Sequence, residues 1–453
     1  MRNLLINTIK KFKNKADYLE IRVEESEGTG ISFRGEEIEN VTQPFSQGGC
    51  VRALHKGGWG FVSFNDLSAL DEKVSVAISQ AKLVGKGKSQ LAPAPIVTDV
   101  VKHAFKKDPR QVPLAEKVNL FSQYNDSLLK SSPKISSTSV GYSEGFRRKH
   151  LVTSEGTGLV QEQARMHALV CAIAKEGDVI QPSFDTFSSL DDFDAFLNLY
   201  PKVAEVAKQA VELLDAPPVK AGTYTVVLGP DMSGLLAHEA FGHLSEADSV
   251  YENEDLRKIM KLGRRFGSNI LNIVDDPTLP EYGHYLHDDE GAKTQKTSLI
   301  KEGILVGRLH NRETAAKMGE RPTANARALS YAYPPIVRMS NTYVEPGQAR
   351  LKDLIKDIKL GILTHSGLGG STADEMFTFT AGFGQMIRNG QLVEIVRDVK
   401  LTGNVFETLK NIEGVGSDLE WESGGCGKGG QDSLPTSNGG PHLRIREVTV
   451  GGK

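Results

Sequence analysis

Residues 223–243 read TYTVVLGPDMSGLLAHEAFGH, and this stretch combines three signals that set the architecture of the second half of the chain. Thr223 to Leu228 is an apolar run rich in β-branched residues, which is typical of a strand. Gly229-Pro230-Asp231 is a turn, and Asp231 or Ser233 is suited to cap a following helix. The pattern predicts a strand, a turn and then a helix that carries His238 near its start.

The sequence after residue 295 indicates a strand-rich region. Short apolar runs alternate there with glycine-containing turns, and Asn389-Gly390 is a strong signal for a two-residue hairpin turn. One helix, at about 350–361, is expected to interrupt the strands. The apolar runs are Ile304–Leu309, Ile336–Met339, Phe377–Thr380 and Leu392–Val396.

Helices and strands come in blocks in the first half of the chain, which predicts an α+β fold with a mainly antiparallel sheet. A helix is expected over 191–214, before Pro217-Pro218, because proline disfavours helix at the residue before it. We therefore expect domains of 1–217 and 218–453, with a sub-boundary near 85–110. The other expected elements are a basic first helix over 1–15, strands across 18–64, helices at 67–84 and 114–130, and strands across 135–175.

Composition and charge are those of an ordinary soluble globular protein. The 453 residues are 39% hydrophobic and 25% charged, and the net charge of −3 gives no attraction toward nucleic acid. No apolar run is long enough to span a bilayer, and the basic start lacks the apolar core of a signal peptide. Cys50, Cys171 and Cys426 are far apart and odd in number, which argues against a disulfide framework. We expect a cytoplasmic protein that binds neither nucleic acid nor membrane.

The segment His238-Glu239-Ala240-Phe241-Gly242-His243 carries the residue types of a hydrolytic zinc site. Two imidazoles suit zinc, and a glutamate beside the first histidine is placed to act as general base on water activated by the metal. Zinc lowers the pKa of its bound water to about 7, so hydroxide is available at neutral pH. The motif alone leaves open a helix that happens to carry two histidines.

The spacing of the two histidines departs from the His-Glu-x-x-His pattern, in which they lie four residues apart rather than five. In a regular α-helix, five residues leave the side chains roughly 140° apart around the axis, so they would not reach one ion. A π-bulge or a helix end would bring them together, and Gly242 makes such a distortion easier. We predict that the helix is wound wider, or broken, near Phe241–His243.

Cys426 is the best remote candidate for a third ligand, since a catalytic zinc usually has three protein ligands and one open position. It lies in the segment Gly424–Gly430, where glycines permit close approach and the neighbouring Lys428 favours the thiolate. The segment is not a Walker loop, because no glycine lies five positions before Gly427 and a glycine follows Lys428. From these residues alone, a free thiol in a flexible loop stays open as the alternative.

Together these features resemble the TldD/PmbA family of metalloproteases, and in particular its TldD-type catalytic subunit. The resemblance covers nearly the whole chain and is densest from residue 219 onward. So many short blocks in the right order make a chance match improbable. The blocks are His238–His243, then Glu246 and Asp248, Asp288–Gly291, Arg321–Thr323, Arg338–Tyr343 and Cys426–Lys428.

The resemblance implies that His238, His243 and Cys426 hold Zn²⁺ and that Glu239 is the catalytic base. It also implies a β-rich, barrel-like C-terminal catalytic domain and a dimer that encloses an interior cavity. The non-catalytic subunit type of the family lacks the His-Glu motif, so this chain resembles the active type. Its partner in the dimer would be a second copy or a catalytically inactive relative.

Charged residues around these blocks carry further expectations. Glu246 or Asp248 is either an orienting partner of a ligand histidine or a solvated charge on a helix. His284 and His287 are expected in surface or turn positions rather than in a second metal site. The Asp288-Asp289 pair is expected to order a turn near the zinc site.

The sequence therefore predicts a zinc-dependent peptidase that hydrolyses unfolded or extended peptides, because a strand-rich domain can bind a peptide as an additional strand. One alternative is a non-enzymatic adaptor or modulator that keeps the fold without needing the ligands, since the family has been associated with DNA gyrase modulation. Another alternative is a metal-dependent hydrolase that acts on a different amide.

Overall fold

The computed structural model describes residues 1–373 and 375–451 and has a mixed α+β architecture. Across these residues the larger sheets have eight, six and seven strands, and nearly all strand pairs are antiparallel. The α+β class and the mainly antiparallel sheet expected from the sequence are confirmed. No helix in the described part of the chain is both long and apolar enough to cross a membrane.

The first part of the chain is one eight-stranded sheet with helices packed on it. Its strands are β1 (Tyr18–Arg34), β2 (Glu37–Thr42), β3 (Phe45–His55), β4 (Gly58–Phe64), β5 (Val100–Val101), β6 (Ile135–Thr153), β7 (Gly158–Glu176) and β8 (Val179–Ser189), and its helices are α1 (Arg2–Phe12), α2 (Leu70–Val84), α3 (Leu114–Leu129) and α4 (Tyr200–Asp215). The strand order is β4-β3-β1-β6-β7-β5, with β2 beside β1 and β8 beside β7.

Apolar side chains at helical spacing explain why these helices form and where they pack. Leu5, Ile9 and Phe12 of α1 are buried together with Val74 and Ala77 of α2 against the sheet. Helices α3 and α4 bury their apolar faces in a separate cluster on β6 and β7. The helices expected at 67–84 and 114–130 are thereby confirmed to within a few residues.

The single helix expected over 191–214 is wrong in its first third. Residues Phe193–Phe196 form a short 3₁₀ turn, which the Asp192 side chain caps by accepting a hydrogen bond from the backbone N–H of Asp194. The α-helix starts only at Tyr200, with Pro201 in its first turn. Proline has a fixed φ suited to a first turn and disfavours helix before it, so it separates the two segments. The division of the chain into domains at residue 217 stays a prediction.

The second part of the chain holds the remaining sheets. Its strands are β9 (Gly222–Leu228), β10 (Ile273–Asp275), β11 (Thr297–Lys301), β12 (Ile304–Leu305), β13 (Ala326–Arg327), β14 (Ile336–Val337), β15 (Asn341–Val344), β16 (Leu360–Ala373), β17 (Met376–Arg388), β18 (Gln391–Val396), β19 (Lys400–Asn404), β20 (Ile412–Val415), β21 (Glu420–Lys428), β22 (Gln431–Gly440) and β23 (Leu443–Gly451). Its α-helices are α5 (Pro230–Leu235), α6 (Ala247–Glu252), α7 (Glu254–Ile259), α8 (Arg312–Met318), α9 (Leu351–Ile355) and α10 (Val405–Lys410).

Five strands of the second part close into a barrel. The order β16-β9-β23-β19-β17 returns to its start because β17 also pairs with β16, and β18 and β20 flank the ring. Asn389 and Gly390 join β17 to β18 with positive φ angles of 49° and 76°, so the expected hairpin turn is confirmed. The helix expected at 350–361 is shorter, because Leu360 onward pairs with β17 and β9 instead.

A six-stranded sheet lies beside the barrel in the order β12-β11-β10-β15-β22-β21. Strand β21 is the end of this order, so one of its edges pairs with no other strand among the described residues. Both sheets and the segment after β9 share one hydrophobic core, which includes Val226, Phe241, Leu299 and Ile445. This core fixes the segment that carries the two histidines between the barrel and β22.

Buried ion pairs connect the eight-stranded sheet to the second part of the chain. Asp289 lies 2.6 Å from the ammonium of Lys149 on β6 and 3.5 Å from the guanidinium of Arg22 on β1. Glu290 lies 3.2 Å from Arg52 on β3. The Asp288-Asp289 pair was expected to order a turn near the zinc site, and Asp288 does order a turn, because its carboxylate accepts hydrogen bonds from the backbone N–H groups of Glu290 and Ala292. The expected location is wrong, because the pair lies at the contact between the two parts of the chain.

Candidate metal centre

The expected distortion of the histidine helix is confirmed. Residues Leu236–Gly242 form a π-helix directly after α5, and His243 starts a 3₁₀ turn. The backbone N–H of His243 donates to the carbonyl oxygen of His238, five residues earlier. Phe241 anchors the turn, because it is fully buried and its ring packs edge-on against Phe266.

This wide turn places the two imidazoles side by side, with ring centroids 5.3 Å apart and planes perpendicular. Cys426 on β21 approaches from the other side, with Sγ 3.4 Å from Nε2 of His243. One donor atom from each of His238, His243 and Cys426 lies within 4.8 Å of the other two. The structure therefore brings together all three side chains proposed as metal ligands.

The surroundings of Cys426 favour a thiolate. Burial raises the pKa of the thiol, but hydrogen bonds and charges from His238 and His243 outweigh burial and lower the pKa to about 5. The pKa of His243 moves the opposite way: burial lowers it, but Cys426 and Glu246 raise it to about 10. Lys428 was expected to favour the thiolate, yet its ammonium pairs with Glu246 at 3.1 Å and Asp248 at 2.7 Å.

Glu246 is the orienting partner of a histidine that the sequence left undecided. Its carboxylate is 1% exposed and lies 2.9 Å from Nδ1 of His243. That contact leaves Nε2 of His243 directed at Cys426. Burial raises the pKa of Glu246, but Lys428 and His243 overcome it, so the pKa is lowered and the carboxylate stays ionised. Asp248 contacts Lys428 rather than a histidine.

Gly242 contributes through its missing side chain rather than through its backbone freedom. Its φ and ψ of −58° and −54° are ordinary for a right-handed helix. A Cβ atom there would lie 2.1 Å from Sδ of the buried Met339. The missing Cβ therefore allows the turn to pack closely against Met339. The expectation that the backbone flexibility of glycine allows the turn is wrong.

Glu239 borders the same cavity as two of the three candidate ligands. A cavity of about 820 Å³ is bordered by Glu239, His243 and Cys426, together with Lys428 and Phe406. Glu239 is half-buried, so its carboxylate can meet both the cavity and solvent. This volume is in the range of sites that accommodate a small molecule or a short peptide segment.

His284 and His287 lie outside the group of three candidate ligands. In the described residues, the one cluster of at least three potential metal ligands is His238, His243 and Cys426. His287 is buried, its backbone N–H donates to Gln161, and it pairs with Lys293 across a turn. Of the expected surface or turn position, the surface alternative is therefore wrong for His287. His284 is half-buried, and its Nδ1 lies 2.7 Å from the carbonyl oxygen of Pro277.

The donor set fits zinc. Two imidazole nitrogens and one thiolate are ligands that zinc prefers, and three protein donors leave one position open. With bond lengths of 2.0–2.3 Å, two donors of a tetrahedral ion lie roughly 3.5 Å apart, close to the 3.4 Å between Sγ of Cys426 and Nε2 of His243. Nδ1 of His238 is buried and has no hydrogen-bond partner among the described residues.

Sequence reasoning missed the residue that holds Cys426 in place. Arg338 is fully buried, and its guanidinium donates to the carbonyl oxygens of Cys426 and of Gln431. It clamps the turn between β21 and β22 and so fixes the sulfur relative to the histidines. The sequence contained a signal, because Arg338 opens one of the blocks shared with the TldD/PmbA family, but no local pattern assigned it a partner.

Three family models match the chain. They are the PmbA/TldA metallopeptidase domain 1 at residues 19–81, the central domain at 107–214 and the C-terminal domain at 221–452. The last of these spans the π-helix and the strand that carries Cys426, so the candidate metal centre lies within the region that the metallopeptidase model describes.

Relatives and solved structures agree with the family models. A metalloprotease of Synechocystis is 48% identical over 98% of this chain and 96% of its own length, and a zinc metalloprotease TldD homolog of Saccharolobus solfataricus is 30% identical over 96% and 97%. The crystal structure of TldE from Thermococcus kodakarensis shares the fold, with a TM-score of 0.77 and 20% identity over 99% of both chains. The crystal structure of a candidate modulator of a DNA gyrase from Thermotoga maritima also shares the fold, with a TM-score of 0.81 and 19% identity over 100% of both chains. The chain therefore belongs to the PmbA/TldD family of metallopeptidases.

Proposed function

We propose that this metallopeptidase uses zinc held by His238, His243 and Cys426, with Glu239 as catalytic base, to hydrolyse unfolded or extended peptides. The observation that carries the proposal is the convergence of two imidazoles and one thiol within 4.8 Å, on elements far apart in sequence. A zinc ion bound there would supply a Lewis acid that polarises a peptide carbonyl and makes water more acidic.

The residues of the chain then perform the proton transfers. Glu239 takes a proton from the attacking water as the oxygen bonds to the peptide carbonyl carbon. The carboxyl returns that proton to the departing amine nitrogen when the C–N bond breaks, so the base is regenerated. Glu246 keeps Nδ1 of His243 engaged, which leaves Nε2 of the same ring facing the site.

Peptide binding is proposed at the free edge of β21. Residues Gly425–Lys428 of this strand border the 820 Å³ cavity. A peptide that adds to a strand edge bonds mainly through its backbone, so the sequence of the side chains matters less. The substrate must be extended to do so, and we expect folded proteins to be poor substrates.

The cellular location and the oligomeric state are also proposals. Cys50, Cys171 and Cys426 are all free thiols, which suits a reducing cytoplasm. We propose a dimer, formed either with a second copy or with a catalytically inactive relative. The likeness to TldE supports the second choice at the level of fold.

The test combines metal content with peptide cleavage on the purified full chain. The wild-type protein should hold near-stoichiometric zinc, measured by mass spectrometry of metals, and should digest an unstructured peptide library. Glu239→Gln should keep the zinc and lose roughly 100-fold or more in kcat. Glu252→Gln is the control, because this exposed glutamate lies on α6 outside the cavity.

Each part of the proposal has its own contrary result. Wild-type cleavage rates in Glu239→Gln would show that the base is misassigned. A zinc-free wild-type protein that cleaves no peptide would favour the adaptor. Zinc-loaded protein that cleaves a different amide, but no peptide in the library, would show that the substrate class is wrong.

A further inference from the structure

A second cavity, of about 380 Å³, lies between the eight-stranded sheet and the second part of the chain. It shares no lining residue with the cavity at the candidate metal centre. Four basic side chains border it: Arg147, Lys149 and Arg165 from β6 and β7, and Arg327 from β13. So many cations around one small cavity raise the question of what neutralises them.

Most of the acidic side chains of this cavity are already committed. Asp289 pairs with Lys149 at 2.6 Å, which accounts for one of the four cations. Glu144 pairs with Lys117, which lies outside this cavity. Glu27 likewise pairs with Arg110, outside the cavity, at 3.1 Å.

Arg147 has a loose partner as well, since its Nε lies 3.7 Å from the carboxylate of Glu24. Arg165 and Arg327 differ from the other two cations, because across residues 1–373 and 375–451 neither has a carboxylate oxygen within 4 Å. Their charges therefore lack a direct counter-ion.

Backbone carbonyls accept hydrogen bonds from two of the five N–H groups of each guanidinium, but they bring no opposite charge. Arg165 donates to the backbone carbonyls of Tyr282 and His284, at 2.7 and 2.6 Å. Arg327 donates to the carbonyls of Met339 and Pro435. A buried cation without a counter-ion is costly, because the low-dielectric interior screens it poorly.

The lowered pKa of Arg165 agrees with the lack of a carboxylate beside its guanidinium. Burial together with the charges of Arg327 and Arg147 lowers the pKa of its guanidinium to about 9. The pKa of Arg327 is lowered as well, by burial first and by the charge of Arg338 next. An anion between the two side chains would relieve both effects.

We infer that this cavity is a binding site for a small anion, which presents a carboxylate or phosphate group to Arg165 and Arg327. Guanidinium groups match both kinds of oxygen pair with two parallel hydrogen bonds. Tyr282, Tyr285 and Phe146 also border the cavity and offer aromatic surface to an organic portion of the ligand. The volume lies in the range typical of small-molecule sites.

Calorimetry on the metal-free full chain tests the inference independently of catalysis. The probes are inorganic phosphate and a short peptide with a free C-terminal carboxylate, each titrated at low ionic strength, with the amidated peptide as its control. Saturable binding of phosphate or of the free-acid peptide is expected, and the tighter of the two identifies the natural type of anion. No saturable binding of either probe would overturn the inference.

Variants then locate the site. Arg165→Gln should weaken binding of the tighter probe at least 10-fold, whereas Arg388→Gln should not change it, because Arg388 is exposed and paired with Glu394. Equal affinity of Arg165→Gln and the wild type would refute the assignment.

A measurement on the wild type covers the case in which Arg165→Gln does not fold. Phenylglyoxal modifies accessible arginines, and the modified positions can be mapped by peptide mass spectrometry. The tighter probe should slow modification of Arg165 several-fold and leave the rate at Arg388 unchanged. Equal rates at Arg165 with and without the anion would contradict the inference.

Discussion

The backbone N–H of His243 bonds to the carbonyl oxygen of His238, so the two candidate ligands are the two ends of one π-helical hydrogen bond. In an α-helix this five-residue spacing would direct the rings to different faces. The wider turn instead sets their centroids 5.3 Å apart. The proposed zinc site therefore depends on one local departure from α-helical geometry, held by packing around it.

Cys426→Ser should lose most of the bound zinc while the fold is kept. The serine hydroxyl is a poor zinc ligand compared with a thiolate, and two histidines alone form an incomplete site. Metal analysis after dialysis should fall from near-stoichiometric to a small fraction. Cys171→Ser, a free thiol on β7, should keep wild-type zinc. Wild-type zinc content in Cys426→Ser would rule out the sulfur as a ligand.

Glu246→Gln should weaken zinc binding about 10–100-fold, since partners that orient ligand histidines typically contribute that much. The neutral amide can still accept a hydrogen bond from Nδ1 of His243 but no longer favours ionic contact with it. Competition with a chromophoric chelator measures the affinity. Glu252→Gln is the matched exposed control. An unchanged zinc affinity would mean that Glu246 serves only the structure.

Gly242→Ala should lower the free energy of unfolding by about 1–3 kcal/mol, because the added methyl overlaps Sδ of buried Met339. Urea denaturation of the metal-free protein measures the change. Gly424→Ala is the control, since a Cβ at that position meets no atom within 4 Å. Equal losses in the two variants would show that the contact with Met339 is not the cause.

Arg52→Met should destabilise the contact between the two parts of the chain by about 3–5 kcal/mol, because it leaves buried carboxylates without their cation. Arg52 lies 3.0 Å from Glu20 and 3.2 Å from Glu290, all of them buried. Arg34→Met removes an exposed pair with Glu39 and should cost less than about 1 kcal/mol. Chemical denaturation that gives similar values for both variants would contradict this.

Glu422 should make the folded state less stable as pH rises from about 4.5 to 7. Burial, and then the charge of Asp231, raise the pKa of Glu422 to about 7. In that window the folded chain holds a proton that the unfolded chain has released, so the free energy of unfolding falls with pH. The total for this group is at most about 3 kcal/mol, and it does not change further above pH 7.

Glu422→Gln should remove that part of the pH dependence, because the amide does not titrate. Unfolding free energies at pH 5 and 7.5 give the difference for each variant. Glu420→Gln changes an exposed neighbour and should keep the wild-type slope. A wild-type slope in Glu422→Gln would mean that other groups carry the effect.

Local patterns in the sequence predicted the features that neighbouring residues determine. The Asn389-Gly390 turn requires positive φ at both positions, and few residues other than asparagine and glycine adopt it readily. The π-turn followed from a geometric conflict between the five-residue spacing and a shared ion. The third candidate ligand needed the family resemblance, because nothing local connects Cys426 to a histidine 183 positions away.

Features that depend on contacts between residues far apart in sequence could not be predicted from local patterns. The helix expected at 350–361 ends early because β9 and β17 recruit the chain from Leu360 onward. The Asp288-Asp289 pair was placed near zinc because its partners on β1 and β6 are more than a hundred residues away. Arg338 carries no local sign that it bonds to the carbonyl of Cys426.

The long sequence separation between Cys426 and His243 also determines when the complete set of proposed donors can form. Sγ of Cys426 lies beside His243 on a strand that is paired with β22, so a chain that lacks this pairing would have an incomplete set of the proposed donors. If these three residues bind zinc as proposed, formation of the site is coupled to folding, and a partly folded molecule would not yet be active.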